Sequence, residues 1–324
     1  MYKTVIEQLI NENEPMVLIT ILKVKGSAPR HAGSKMLLSE KGVINGTVGG
    51  GRGEALAIEK AMSILKSKIF SCLEVEMLGE DIYDKDMICG GRSYMMFQYI
   101  DADKTVYKKA CLDLEKGKPA YLVTDLKTGE TEIVENENNE VFKASELAKK
   151  SFLNTDKTKF YDVVFPLDNL LILGGGYVGQ AVYKVASFMD FNITVYDDRE
   201  AFANQERFPK AGSVKAGNYE ELLKKYPFND ATYVVITTRG HLCDVNCLRN
   251  TLNRPHAYLG CIGSRRKIET VKNGLLEEGF SKAKMASIYA PIGFDIGAET
   301  PEEIAIAILA QIIGVKHGKE NRLL

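Results

Sequence analysis

The apolar residues Leu171, Ile172 and Leu173 run straight into Gly174-Gly175-Gly176-Tyr177-Val178-Gly179. That run satisfies the spacing G-x-G-x-x-G between a β-like stretch and a helix-like one. Glycines so placed allow a tight turn and let oxygens approach the backbone N–H groups at a helix start, which is phosphate-binding chemistry. Gly174, Gly176 and Gly179 are therefore candidate binding residues. Asp197 follows at close to the interval, roughly 20 residues, of an acid that binds a ribose hydroxyl. Arg199, just beyond it, could meet an extra phosphate instead. Further on come Arg239-Gly240-His241, with Asp244 behind them, and Gly263-Ser264-Arg265-Arg266-Lys267. Cations at a helix start run against the helix dipole, which favours acids there. The triplet Arg265-Arg266-Lys267 thus reads either as anion contacts or as a solvated face, and Arg239, Ser264, Arg265 and Arg266 are the candidate binding residues here. For hydride transfer to a nicotinamide, His241 is the candidate acid–base, with Asp244 or Asp295 to orient it.

The first half holds a second set. Gly49, Gly50, Gly51 and Gly53 precede a helix that opens near Glu54. Bared backbone N–H groups there form a nest suited to an oxyanion, or else a bulge or tight strand-to-helix turn. Cys89-Gly90-Gly91 is a thiol with bare neighbours, although a cysteine alone is more often a small buried apolar residue. Arg30 and His31 are polar loop residues. Thr300-Pro301-Glu302-Glu303 is a capping box with proline at the first helical position, and "IAIAILAQII" behind it reads as core helix. His256 and His317 acquire no role.

The elements that must position these residues fall into two halves. "VLITILKV", "KMLLS", "GVINGTV", "SCLEVEML" and "SYMMFQYI" read as strands, with "EALAIEKAMSIL" a helix by its apolar spacing and another helix near 103–116. "AYLVTDLKTGETEIV" reads as a hairpin turning at Thr128-Gly129. Residues 136–166 are polar and aperiodic, a linker that closes a smaller α+β domain, 1–166. In 167–324, "NLLILG", "NITVYD", "GSVKAG", "TYVVITT", "HAYLGCIG" and "ASIYAP" read as six strands with helices between most of them. Such alternation predicts an α/β domain with a parallel sheet and helices on both faces, its ligand beyond the carboxyl ends of the strands.

The 324 residues suit two domains of roughly 100–200 residues each. Hydrophobic residues make up 45% and charged residues 26%, an ordinary balance for a chain with real cores. Lys and Arg number 42 against 43 Asp and Glu, a net charge of -1, so nothing draws the chain to nucleic acid or an anionic membrane. Six cysteines without a C-x-x-C pair predict neither a disulfide scaffold nor a zinc site. The acidic N-terminus is no signal peptide, and no apolar run reaches the roughly 18–20 residues of a membrane span. The expectation is a reduced, soluble, cytoplasmic protein with no metal site of its own.

Taken in order, "KGSAPRHAGSKML", "GTVGGGRGEA", "MICGG", "LGGGYVGQAV", "YDDREAFANQERFP", "TRGHLCD", "GCIGSRRK" and "APIGFDIGAETPEEIAIAI" resemble the xanthine dehydrogenase accessory factor family, also called the XdhC/CoxI family. The resemblance covers nearly the whole chain and is weakest at 136–166. "PIGFDIGAETPEEIA" and "GSRRK" are specific to it; the glycine turn is not. It implies a Rossmann-like C-terminal domain and a protein, often dimeric, that binds the molybdenum cofactor (molybdopterin, alone or as a dinucleotide). Such proteins protect the cofactor, support its sulfuration with a cysteine desulfurase and hand it to an apo molybdenum hydroxylase. It therefore implies a homodimeric carrier rather than an enzyme with turnover of its own. Tyr177 stands where the family commonly has His, Phe294 where it has Leu, and Cys261 where Met is frequent. The cluster at Gly49 reads G-G-G-x-x-E without an internal cysteine, which leaves Cys89 as the matching thiol for contact with metal or sulfur. The alternatives are an NAD(P)-dependent oxidoreductase using His241, and a nucleotide-sensing regulatory module.

Overall fold

β1 (Met16–Lys25) is buried through its first seven residues because its alternate side chains serve two cores. Val17, Ile19 and Ile21 pack on Ala57, Ala61 and Ile64 of α2 (Gly51–Ser67). Met16 and Leu18 pack with α1 (Tyr2–Asn11) and α3 (Thr105–Glu115). β2 (Lys35–Ser39), β3 (Gly42–Gly46), β4 (Ser71–Glu76) and β5 (Arg92–Ile100) complete an antiparallel sheet ordered β3-β2-β1-β5-β4. A second antiparallel sheet, β7-β6-β9-β8, is built from β6 (Ala120–Asp125), β7 (Thr131–Val134), β8 (Phe152–Leu153) and β9 (Lys159–Val164). The computed structural model describes residues 2–26, 30–76, 91–101, 103–135 and 150–319. Its two compact units are Met1–Pro166 and Leu167–Leu324.

The polar stretch read as a linker is corrected for its second part. β9 pairs with β6 over six residues, from Ala120–Val164 to Asp125–Lys159, and Phe160, Val163 and Val164 are buried. A polar turn, Asn154 to Thr158, separates two short strands and masks their alternation. Residues 136–149 lie outside the described residues.

In the second unit five parallel strands, β10 (Asp168–Leu173), β11 (Phe191–Asp197), β12 (Ser213–Ala216), β13 (Thr232–Ile236) and β14 (Tyr258–Cys261), are ordered β12-β11-β10-β13-β14. Alternation along β10 assigns its side chains to two cores. Leu170 and Ile172 meet α4 (Tyr177–Ala186) and α9 (Pro301–Lys316). Leu171 and Leu173 meet α5 (Tyr219–Lys225), α6 (His241–Thr251), α7 (Arg265–Glu277) and α8 (Lys282–Ala286). The expected sixth strand, "ASIYAP", is reduced to a parallel bridge between Tyr289 and Gly260; Pro291 has no N–H with which to extend a ladder. The chain leaves β10 toward β11 on one side and returns to β13 on the other. Between β10 and β13 the following loops part, the place where open α/β sheets hold ligands.

Candidate functional site

The turn after β10 separates glycines required by packing from one that is not. A Cβ at Gly174 (φ +108°) would stand 2.4 Å from the Thr237 carbonyl oxygen, and one at Gly175 2.0 Å from that of Phe202. At Gly179 it would stand 1.8 Å from the Gly174 oxygen, so α4 sits directly on its own turn. At Gly176, whose φ is -66°, a Cβ would meet nothing within 4 Å. Among the described residues that flank is open, and no side chain caps the N-terminus of α4 behind it. Helix-terminal N–H groups beside open space suit an oxyanion.

Asp197, at the end of β11, is fully buried and committed inward. Its Oδ1 accepts from the Arg199 backbone N–H at 3.0 Å and Nε at 2.8 Å; its Oδ2 accepts from the Gly175 N–H at 2.8 Å and from an Arg199 Nη at 3.0 Å. Burial alone would push this carboxyl up, but the hydrogen bonds from Arg199 and Gly175 outweigh it and hold the group below the usual carboxylate range. Four donors fill the roughly four lone-pair sites of a carboxylate. A ribose hydroxyl would have to displace one of them. Asp197 fastens the glycine turn to β11. Arg199 is held in turn, its guanidinium 3.7 Å from the centre of the Phe202 ring.

Arg207, in the stretch Asn204 to Pro209, belongs to no binding motif that the sequence displays. One Nη donates to the Gly175 carbonyl and to Gln180 Oε1, both at 3.2 Å, while its Nε is buried with no acceptor among the described residues. A half-buried guanidinium held on the glycine turn is a second feature that suits an anion there.

Beyond β13 and β14 the expected residues gather at two helix starts. Gly240 (φ +89°) begins α6 without a side-chain cap, with Arg239 and His241 exposed. Ser264 begins α7, its Oγ accepting from the Lys267 N–H at 3.3 Å, and Arg265 and Arg266 are exposed. Gly240, His241, Ser264, Arg266, Lys267 and Thr270 line one open groove of about 540 Å³. Lys267 turns inward to form an ion pair with buried Asp244, which also accepts from the Thr238 hydroxyl at 2.5 Å. That triad ties the end of β13 to both helix starts. It also corrects the expectation for His241: Asp244 is committed elsewhere, Asp295 is exposed, and among the described residues no carboxylate hydrogen-bonds to the imidazole.

In the first unit the glycine nest already holds a carboxylate. Glu54 Oε2 accepts from the N–H groups of Val48 at 3.0 Å and Gly50 at 3.1 Å, and from the Thr47 hydroxyl. Burial raises this carboxyl's affinity for a proton, yet those bonds prevail and its pKa lies below the ordinary value. Gly49, Gly50 and Gly51 all have positive φ, so the backbone does curl as a nest, around an internal anion. The spacing G-G-G-x-x-E carries that signal, since it returns a glutamate one helical turn after the glycines. Lys35, buried and paired with Asp162 at 2.5 Å, also donates to the Gly33 carbonyl at 3.1 Å, which anchors the loop of Arg30 and His31. Cys89 lies outside the described residues. Burial pushes the thiols of Cys72 (to about 11), Cys243, Cys247 and Cys261 (to about 12) upward, so each is a poor source of thiolate. Among the described residues no group of three His, Cys, Asp or Glu is arranged to hold a metal, and no helix is long and apolar enough to cross a membrane.

Comparison with known proteins gives both units relatives. Residues 170–312 match the family described as the XdhC Rossmann domain, and residues 9–75 match the XdhC and CoxI family. The chain is 26% identical to an uncharacterized Escherichia coli protein, YqeB, over 98% of its own length, and spans about half (46%) of that protein. It is 25% identical to a Bacillus subtilis protein described as a probable xanthine dehydrogenase subunit, over 96% of both chains. It is 23% identical to the Escherichia coli molybdenum cofactor insertion chaperone PaoD, over 95% of this chain and 86% of that one. A crystal structure described as a xanthine dehydrogenase from Bacillus halodurans superposes with a TM-score of 0.80 at 24% identity, covering all of this chain and 98% of the other, which shows a shared fold.

Proposed function

The chain belongs to the XdhC and CoxI family, and from that premise we propose that it is an accessory protein that holds the molybdenum cofactor and delivers it to an apo molybdenum hydroxylase. The observation that carries the proposal is the open flank at Gly176, where packing among the described residues places no demand for glycine and no side chain caps the helix start. A pyranopterin ends in a phosphate, or a pyrophosphate when it carries a nucleotide. The residues present fit that group: the start of α4, the Arg207 guanidinium on the glycine turn, and the Gly240 and Ser264 turns with Arg239, Arg265 and Arg266. The redox chemistry belongs to the cofactor in its acceptor enzyme; this chain's own part is to bind, orient and shield. The names of two relatives, one of a xanthine dehydrogenase component and one of a cofactor insertion chaperone, support the same reading.

The finer steps are part of the proposal. The carrier works in the cytoplasm, as a homodimer without turnover of its own, and supports sulfuration with a cysteine desulfurase. Cys89 contacts metal or relays sulfur there, a role for a soft thiolate. The nicotinamide alternative has less support, because Asp197 has no acceptor to spare for a ribose and, among the described residues, no carboxylate orients His241. The test is the pterin and molybdenum content of protein isolated from molybdate-replete cells, by oxidative pterin fluorescence and metal analysis. Near-stoichiometric retention of both is expected. Absence of both, even after incubation with free cofactor, would sink the proposal and restore the nicotinamides.

A further inference from the structure

The first unit carries a groove of about 210 Å³ whose lining holds four cations, Lys23, Lys25, Arg92 and Lys157, against one acid, Glu74, with Tyr94 and Leu153 beside them. The fold concentrates them by a specific device. Val17, Ile19 and Ile21 face α2, and an unbroken β1 would send Lys23 and Lys25 to that same face. A bulge between Ile21 and Lys23 shifts the register, so that Lys23 pairs with Tyr94 and Lys25 with Arg92. Bulges re-aim side chains in this way. Tyr94 belongs to the opposite face, with Leu22, Met96 and Phe160, and the two lysines join it there. Lys157 reaches the groove from the turn between β8 and β9, where it adopts a left-handed backbone (φ 59°). Glycine would accept that conformation freely, and lysine does not.

Among the described residues Lys23, Lys25 and Lys157 make no ion pair. Like charges gathered from one strand and a turn repel one another, and an anion with several oxygens relieves them. The volume lies below the roughly 300–1,000 Å³ of pockets for whole cofactors and suits a phosphoryl group. We propose that this groove is a second phosphate site, carried by the first unit itself, that takes the phosphoryl end of a small phosphomonoester or diphosphate. The inference does not rest on the cofactor proposed above.

The test titrates the full-length Gly176→Val protein, in which the glycine turn is blocked, with inorganic pyrophosphate and separately with AMP, by calorimetry at two salt concentrations. Binding of either probe is expected, weakening with salt, and tighter binding of one identifies the diphosphate or the monoester as the preferred form. Combining Lys23→Gln, Lys25→Gln and Lys157→Gly should lower that affinity by about tenfold or more. All three side chains are exposed and Lys157→Gly relieves the backbone, so the melting midpoint should hold. Affinity unchanged by the three substitutions, or no binding of either probe, would overturn the proposal. So would competition by sulfate as strong as by pyrophosphate, which would reduce the groove to a diffuse positive surface.

Discussion

At Gly176 a side chain would meet open space, whereas at Gly174 and Gly179 it would meet backbone. The two kinds of glycine therefore give opposite outcomes when replaced. Gly176→Val should fold with a loss of about 1 kcal/mol or less, the cost of a poor N-cap, and should lose affinity for the cofactor because the valine fills the oxyanion approach. Gly179→Ala should cost roughly 3 kcal/mol or more, since the 1.8 Å approach to the Gly174 oxygen forces α4 off its turn. Thermal melts read together with cofactor titration separate the two. A folded Gly176→Val protein with parental affinity would remove the phosphate from this turn. The type and position of Asp197 suggested a ligand contact, but its four hydrogen-bond donors all come from the chain.

Whole elements lean on internal charges in the same way. The loop that starts α2 is organised by Glu54, and the turn that starts α4 is fastened by Asp197. Both carboxyls are lowered on folding, hydrogen bonds outweighing burial. Each contributes stability that is fully present above its unfolded pKa, about 4, and lost as pH falls through the lower folded value, because the unfolded chain takes up the proton first. The melting midpoint of the parent should therefore fall from about pH 4 downward, and the Glu54→Gln and Asp197→Asn variants should show a shallower fall from a lower plateau. Equal slopes across the three proteins would assign the acid sensitivity to other carboxyls. α9 needs no ligand to explain its start. The Thr300 hydroxyl accepts from the Glu303 N–H at 3.3 Å, and Glu303 accepts in return from the Thr300 N–H at 3.0 Å.

Across the whole molecule, each unit has its own buried cores, and the second has one on each face of its parallel sheet. Leu167–Leu324 expressed alone should accordingly unfold in a single cooperative transition and keep dispersed amide resonances; an unstructured product would show that its cores do not suffice. The sequence by itself determined the strand-and-helix alternation of that unit, the glycine turn, the capping box and the order of family motifs. Each is set by neighbours a few residues apart, within reach of local sterics and periodicity. It did not yield β8 and β9 or the reduction of the sixth strand, because the worth of a short strand depends on a partner far along the chain. Nor did it yield what the charged residues touch. Whether Asp197 serves a ligand or Gly175, whether Asp244 serves His241 or Lys267, whether the Gly49 nest is empty or holds Glu54, and which face Lys23 and Lys25 take after the bulge were decided only by tertiary structure. An ionised group settles on whichever donors or acceptors the packed chain brings within about 3 Å, and that distance is fixed by folding rather than by spacing along the chain.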